Sequence, residues 1–370
     1  MERLASMSNP THKNIGVIGL GIIGRAVAAN LRCKGFPVFV WNRSPRPVPN
    51  FVGSPGELAR LCNYIQIFVS DDEALLHTVE QLNGDLTPRH IVLAHSTVAP
   101  DSMRAAAEIV ERRAARFVEA SFTGSKPAAE KGELVYYVGG TDAALREARP
   151  ILEASSKEIV HIGAVGQASA IKIATNMITA ANVQAAAEAI ALVQALGVPP
   201  EKFVEAMRAN ASYSGTLALK LPKILNRDFE PQFSVKHMLK DMQLASQIAL
   251  SHYLDLGVTA AARDQLLEQM QWGHGDADYS AVARKYLHDA SPATYEEPQT
   301  QEEDEQAHSV EPNIGLAESE SDNVAEAAGL ATSQPVLALA EPVSTAPAAT
   351  TRLRRGFLKQ LLSKFSSGQE

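Results

Sequence analysis

The chain has 370 residues, 45% of them hydrophobic and 21% charged, with a formal net charge of −8. That length holds two domains and a substantial core, and no run of 18 or more uncharged apolar residues is present to span a membrane. The charge is uneven: thirteen acids and no Lys or Arg lie between His288 and Thr350, the last twenty residues net +4, and the body up to His288 carries only +1, which excludes a nucleic-acid footprint.

After a leader of about twelve residues that reads as disordered, an apolar run from Ile15 to Ile18 predicts a buried strand. It stops at Gly19, Gly21 and Gly24, with Leu20, Ile22 and Ile23 between them. In this spacing the first glycine permits a tight turn and the second admits a pyrophosphate close to the backbone. The third lets the following helix pack close to the strand. A helix from Arg25 to Lys34 aims its amides and positive dipole end at the phosphates, and Gly35 leads into a second strand, Val38 to Trp41. An NAD site places Asp or Glu after that strand to bind the ribose hydroxyls. Here Asn42, Arg43 and Ser44 follow, a guanidinium and a hydroxyl suited to a 2′-phosphate, so NADP is the expected cofactor. The alternative leaves Arg43 as a solvated turn residue and accepts either cofactor.

Further strands are expected at Tyr64–Val69, Ile91–Ala94, Arg116–Ala120, Leu134–Val138 and Glu158–His161. Strands separated by helical stretches argue for a Rossmann-type, doubly wound parallel sheet over residues 14–165. From residue 166 to 288 helical periodicity runs without a convincing strand, so an all-α second domain follows. Its most apolar helix, Ile178 to Leu196, is expected to be buried.

Four segments carry candidate chemistry. His95, at the end of a strand, is a possible proton donor, but no carboxylate sits at an orienting distance. The more usual role of its turn is to contact the cofactor, which assigns Thr97 to that site. In EASFTGSKPAAEKGEL, Thr123, Gly124 and Ser125 offer hydroxyls and free amides for a carboxylate at a strand's carboxyl end; the alternative is an ordinary strand-to-helix turn. In GQASAIKIATNM, Lys172 and Asn176 lie four apart on one helix face. Lys172 is the sole ionisable group from Val165 to Ala187, so it either snorkels at a surface or sits in a cleft. In FSVKHMLKDMQLA, Lys236 and Lys240 share a face and Asp241 adjoins them; a solvated helix surface is the default there.

Residues 289–350, rich in Glu, Ala, Ser, Pro and Gln, read as a disordered acidic linker. Residues 351–370 form a basic amphipathic segment, with Leu353, Phe357, Leu361 and Phe365 spaced by four. It is suited to an anionic membrane surface or a partner groove, or else to a frayed helix that docks nowhere. Cys33 and Cys62 have no metal-ligand or redox spacing, and the N-terminus lacks a secretory pattern, so no metal is expected and the compartment is expected to be the cytoplasm.

Taken together, these segments resemble the β-hydroxyacid dehydrogenase family, which includes 3-hydroxyisobutyrate dehydrogenase and the glyoxylate/succinic semialdehyde reductases. The resemblance covers about Asn14 to Leu287. The family's cofactor signature matches IGVIGLGIIG, and its substrate loop, typically Asp/Glu-Ala-Pro-Val-Ser-Gly, matches EASFTGS. The resemblance places the catalytic lysine on Lys172, the substrate-binding asparagine on Asn176, and the later Lys-Asp motif on Lys240 and Asp241. Gly124-Ser125-Lys126 and Asn42-Arg43-Ser44 resemble the NADP-using reductase branch. Ser121, Thr123 and Pro127 depart from the usual loop, and the methyl of Thr123 narrows the pocket. The resemblance implies NADPH-dependent reduction of a small aldehydo- or oxo-carboxylate with a lysine acid, and a homodimer or homotetramer. The competing readings are oxidation of a 3-hydroxy acid, and an NADP-binding pseudo-enzyme that acts through its C-terminal tail.

Overall fold

The computed structural model describes residues 13–287. The leader, the acidic linker and the basic segment lie outside the described residues. Seven strands form one sheet: β1 (Ile15–Ile18), β2 (Val38–Trp41), β3 (Tyr64–Ile67), β4 (Ile91–Ala94), β5 (Arg116–Thr123), β6 (Leu134–Gly139) and β7 (Ser156–Gly163). Their order is β2-β1-β3-β4-β5-β6-β7. Helices α1 (Ile22–Cys33), α5 (Ser125–Lys131) and α6 (Asp142–Leu152) cover one face, and α2 (Pro55–Leu61), α3 (Asp72–Asn83) and α4 (Pro100–Glu111) the other.

Alternate residues of β1 to β5 enter two cores on opposite faces of the sheet. Ile15 and Val17 join Leu31 of α1 and Ile151 of α6 on one face, while Ile18, Ile65 and Ile67 join Leu58, Leu75 and Met103 on the other. This is the two-faced burial of a doubly wound sheet. The order in which strands are added reverses at β1, which pairs in parallel with both β2 and β3. A crevice at the carboxyl ends of the strands is the general consequence of such a switch point.

The sheet is parallel as expected except at one pairing: β6 runs antiparallel to β5, with Glu119 opposite Gly139 and Thr123 opposite Val135. The cause is loop length. Only residues 124–133 join the two strands, short of the dozen or more that a parallel crossover requires. Gly132, in the left-handed region at φ 72°, ends α5 and returns the chain at the same edge.

β7 is followed by α7 (Gln167–Ala195), a 29-residue helix that packs along β5 and then leaves the sheet. Beyond it the described chain is helical: α8 (Pro200–Arg208), α9 (Gly215–Leu225), α10 (Val235–Ser251) and α11 (Gly257–Gln271), closed by a 3-10 segment, Tyr279–Tyr286. Val183, Ala187 and Ile190 of α7 form a separate core with Leu221, Met238, Met242 and Leu266. The expectation that α7 is buried holds for only one side, because Ile178 is 64% and Leu192 62% exposed. Apolar residues are spread round the helix rather than gathered in one stripe, which is why periodicity alone did not reveal the open face.

Candidate active site

A cavity of about 650 Å³ opens at the carboxyl ends of β1, β3, β4 and β5 and is lined from the opposite side by α7, α9 and α10. Both halves of the chain therefore contribute to it.

The glycine turn forms one wall. At Gly19 the backbone is left-handed (φ 92°) and an added Cβ would stand 2.0 Å from the Phe68 carbonyl oxygen; at Gly24 it would stand 2.0 Å from the Gly19 oxygen. These two glycines serve the close packing of turn, strand and helix. Gly21 differs, since an added Cβ there meets nothing within 4 Å. Gly21, Ile22, Ile23 and Gly24 line the cavity, and Gly21 begins α1 without a side-chain cap. The first-turn amides are left to a ligand, and the smooth backbone at Gly21 fits the approach of a dinucleotide pyrophosphate.

Asn42 fixes this turn to the end of β2. Its Oδ1 accepts a 2.9 Å hydrogen bond from the Leu20 amide, and its Nδ2 donates to the Ser44 carbonyl at 2.9 Å. Gly19 N also donates to the Trp41 carbonyl. Leu20 itself is buried. Arg43 and Ser44 are exposed and lie outside the lining of the cavity, just beyond the turn that Asn42 holds.

The opposite wall carries a chain of polar side chains. Lys172 Nζ donates to Asn176 Oδ1 at 2.8 Å, and Asn176 Nδ2 donates to Asp241 Oδ2 at 2.6 Å. Lys240 Nζ pairs with Asp241 Oδ1 at 2.8 Å and donates to the Thr97 carbonyl. Lys240 thus links α10 to the turn after β4. Lys172, Asn176 and Asp241 are all buried. Burial pushes the Lys172 amine down from 10.5 to about 8, outweighing the Asp241 carboxylate, which favours its charged form; the nearby Lys240 charge adds to the depression.

Thr123, Gly124 and Ser125 complete the site and line the same cavity. Gly124 has φ 127° and Ser125 φ 55°. A Cβ at Gly124 would also stand 2.7 Å from the Ala128 side chain, so glycine is required there on both counts. The cavity therefore brings together Gly21, Ile22, Ile23, Gly24, Thr97, Thr123, Gly124, Ser125, Lys172, Asn176, Lys240 and Asp241.

The solvated-surface reading of the third helical segment holds for Lys236, paired with the exposed Asp276, and fails for Asp241, which is 1% exposed. Phe233 and His237 of that segment also line the cavity. So does Lys220, whose Nζ contacts both carboxylate oxygens of the fully buried Asp278 at 2.9 and 2.8 Å. With its charge matched there and a third bond to Gln232, Lys220 is a structural cation. Its partner lies 58 residues away, beyond any local sequence signal.

His95 lies deep in the same wall, stacked on Phe68 with ring centroids 4.3 Å apart. Its Nδ1 lies 2.8 Å from the Ala120 carbonyl oxygen, which can only accept, so the proton sits on Nδ1. Burial pushes its pKa down to about 3 despite that bond, leaving the imidazole neutral at working pH and unable to act as the acid. His95→Met is expected to keep kcat within about tenfold of the parent, whereas loss of a general acid costs about 10²-fold or more. Steady-state kinetics from pH 5 to 8 checks this, and no limb near pH 6.5 should be seen. Among the described residues no group of three or more His, Cys, Asp or Glu is arranged to hold a metal ion, and no helix is long and apolar enough to cross a membrane.

Two family models match most of the described chain. Residues 14–163 match the family described as the NAD binding domain of 6-phosphogluconate dehydrogenase. Residues 166–286 match the one described as NAD-binding of NADP-dependent 3-hydroxyisobutyrate dehydrogenase. Glyoxylate/succinic semialdehyde reductase 1 of Arabidopsis thaliana is 30% identical over 278 residues, which span 72% of this chain and 96% of the relative. The chloroplastic reductase 2 of the same plant is 30% identical, over 73% of this chain and 78% of its own length. Among solved structures, the 3-hydroxyisobutyrate dehydrogenase of Mycobacterium tuberculosis with L-serine is 25% identical with a TM-score of 0.67, covering 74% of this chain and 98% of the other.

Proposed function

The chain belongs to the 3-hydroxyisobutyrate dehydrogenase-like family of nicotinamide-dependent oxidoreductases acting on CH–OH groups, and on that premise we propose that it is an NADPH-dependent reductase of small aldehydo- or oxo-carboxylates, of the glyoxylate or succinic semialdehyde type. The observation that carries this reading is the buried Lys172–Asn176–Asp241 chain, set in one cavity with the glycine turn and the Thr123–Ser125 loop. The bound nicotinamide supplies the hydride.

The chain's own residues do the rest. Thr123 Oγ1 and the Gly124 amide hold the substrate carboxylate, with Asn176 fixing the carbonyl end. The Lys172 ammonium donates its proton to the carbonyl oxygen as negative charge develops there. Asn176 accepts from Lys172 and donates to Asp241, so it fixes the direction of the ammonium. In the reverse direction the neutral amine accepts the proton, and a pKa of about 8 makes that form available under mildly basic conditions. This availability favours 3-hydroxy acid oxidation as the second reading.

A panel of aldehydo- and oxo-acids and of 3-hydroxy acids, assayed with NADPH/NADP and NADH/NAD in both directions, tests the proposal. Reduction requires the ammonium, so log kcat/KM is expected to be flat below pH 8 and to fall above it. Oxidation should rise through the same point. A reductive profile that stays flat to pH 10, or preference for a hydroxy acid over every aldehydo-acid, overturns the reading. We also propose that Ile178, Leu192, Leu250 and Tyr253, the last 98% exposed, are covered in a homo-oligomer.

A further inference from the structure

We propose that Glu119 is a positioning residue that sets the substrate loop and the catalytic lysine in one frame; this rests on the reading of Lys172 as the proton donor. Glu119 lies within β5, has no exposed surface, and has no cation beside it among the hydrogen bonds and ion pairs of the described residues. Its Oε2 instead accepts from the Gly166 amide at 2.6 Å, and its Oε1 accepts from the Ser169 amide. These amides open α7, whose cap residue Gly166 (φ 93°) has no side chain to satisfy them. Glu119 therefore caps a helix from 47 to 50 residues away, at the end where the helix dipole favours an anion.

Two arms extend from this point to the cavity. Along β5, four residues at about 3.3 Å each lead to Thr123. Along α7, Lys172 lies six residues beyond Gly166, roughly 9 Å at 1.5 Å per residue. Both arms end in the lining of one cavity, so a displacement at Glu119 alters the distance between carboxylate grip and proton donor. The surroundings are shaped for the carboxylate: an added Cβ at Gly139 would stand 2.6 Å from Glu119 Oε2 and 2.8 Å from the Ala164 carbonyl. The charges that shift the Lys172 amine are those of Asp241 and Lys240. The effect of Glu119 is geometric.

The test compares the full chain with Glu119→Gln, which keeps the shape but turns an amide N–H toward a backbone N–H. In the folded variant kcat is expected to fall about 10-fold to 10²-fold, the range for misplacing a reacting group by up to about 1 Å. KM for the carboxylate should rise while NADPH affinity, read by fluorescence titration, stays within about twofold. A second readout needs no turnover: the pH dependence of Lys172 acetylation by acetic anhydride, which transfers acetyl to the neutral amine and releases acetate, followed by peptide mass spectrometry. Loosening α7 should move that titration from about 8 toward the ordinary lysine value. Should glutamine at 119 prevent folding, Gly139→Ala displaces the carboxylate without removing it and is expected to act the same way. A folded variant with wild-type kcat and wild-type Lys172 titration, whatever its melting temperature, overturns the proposal. If the parent reduces no carboxylate at all, the functional reading fails, and the acylation arm still judges Glu119.

Discussion

Lys172→Ala is expected to lower kcat for carbonyl reduction by about 10²-fold to 10⁴-fold, the range associated with a positioned general acid, while leaving NADPH affinity close to the parent value. The cofactor wall, built from Gly19 to Gly24 and pinned by Asn42, shares no hydrogen bond with Lys172, so binding and chemistry separate cleanly. KM should rise only modestly, because Asn176 keeps its bond to Asp241 when its bond from Lys172 is lost. Lys172→Arg gives the sharper control. A guanidinium keeps the positive charge but does not give up a proton in this pH range. Electrostatic stabilisation alone would leave much of the activity in the arginine variant, whereas proton donation predicts a loss nearly as deep as that of alanine. Retention of more than about a tenth of kcat in the alanine variant would sink the assignment.

Asp241 and Lys240 tune that amine in opposite directions. The carboxylate raises the Lys172 pKa and the neighbouring ammonium lowers it, with burial the largest influence. Lys240, paired with Asp241 within α10, also joins that helix to the turn after β4 through its bond to the Thr97 carbonyl. The residues that tune the Lys172 amine thus also hold the two walls of the cavity together, and substitutions here should change pH dependence and substrate affinity at once.

How much of this was legible in the sequence depended on the range of the signal. The glycine turn, the strand cores and the Lys172–Asn176 face are local patterns of period 2 or 3.6, and they appear where the residues put them. The direction of β6 was not legible from β6 itself, because a strand's side-chain pattern is the same read either way; the short 124–133 connection was the usable clue. Glu119 was visible as the acid that opens the EASFTGS loop, but its partners at Gly166 and Ser169 are set by how α7 packs on β5. Lys220 and Asp278, each unremarkable in its own segment, meet through tertiary packing alone. Asp241 looked solvated because a helix surface and a cleft wall have the same sequence pattern when the facing element is distant in the chain.

Arg43→Glu is expected to reverse cofactor preference, shifting the ratio of NADPH to NADH dissociation constants by on the order of 10³. The charge-assisted bonds from a guanidinium to a phosphate are worth roughly 1.5–3 kcal/mol in total, or about 10-fold to 10²-fold. A carboxylate in its place adds like-charge repulsion against the 2′-phosphate, and it offers an acceptor to the free ribose hydroxyls of NADH. Exposure argues for a smaller effect, since solvated ion pairs contribute only about 0–1 kcal/mol. The backbone argues the other way. Asn42, the residue before Arg43, is bonded to the Leu20 amide of the glycine turn, so the guanidinium starts from a held position. Nearby charge also defines the site: burial raises the Asp71 carboxyl, but Ser70, the Ala74 amide, Lys240 and Arg43 together hold it below the usual carboxylate range. Arg43 is therefore within electrostatic reach of the α3 N-terminus across the cofactor crevice. Trp41, one residue before Asn42 and partly buried, provides an emission signal for titrating both cofactors at fixed ionic strength. Arg43→Ala should fall between the parent and the glutamate variant, losing the attraction without gaining the repulsion. If all three proteins show NADPH-to-NADH ratios within about threefold of one another, Arg43 is a solvated turn residue and phosphate discrimination resides elsewhere.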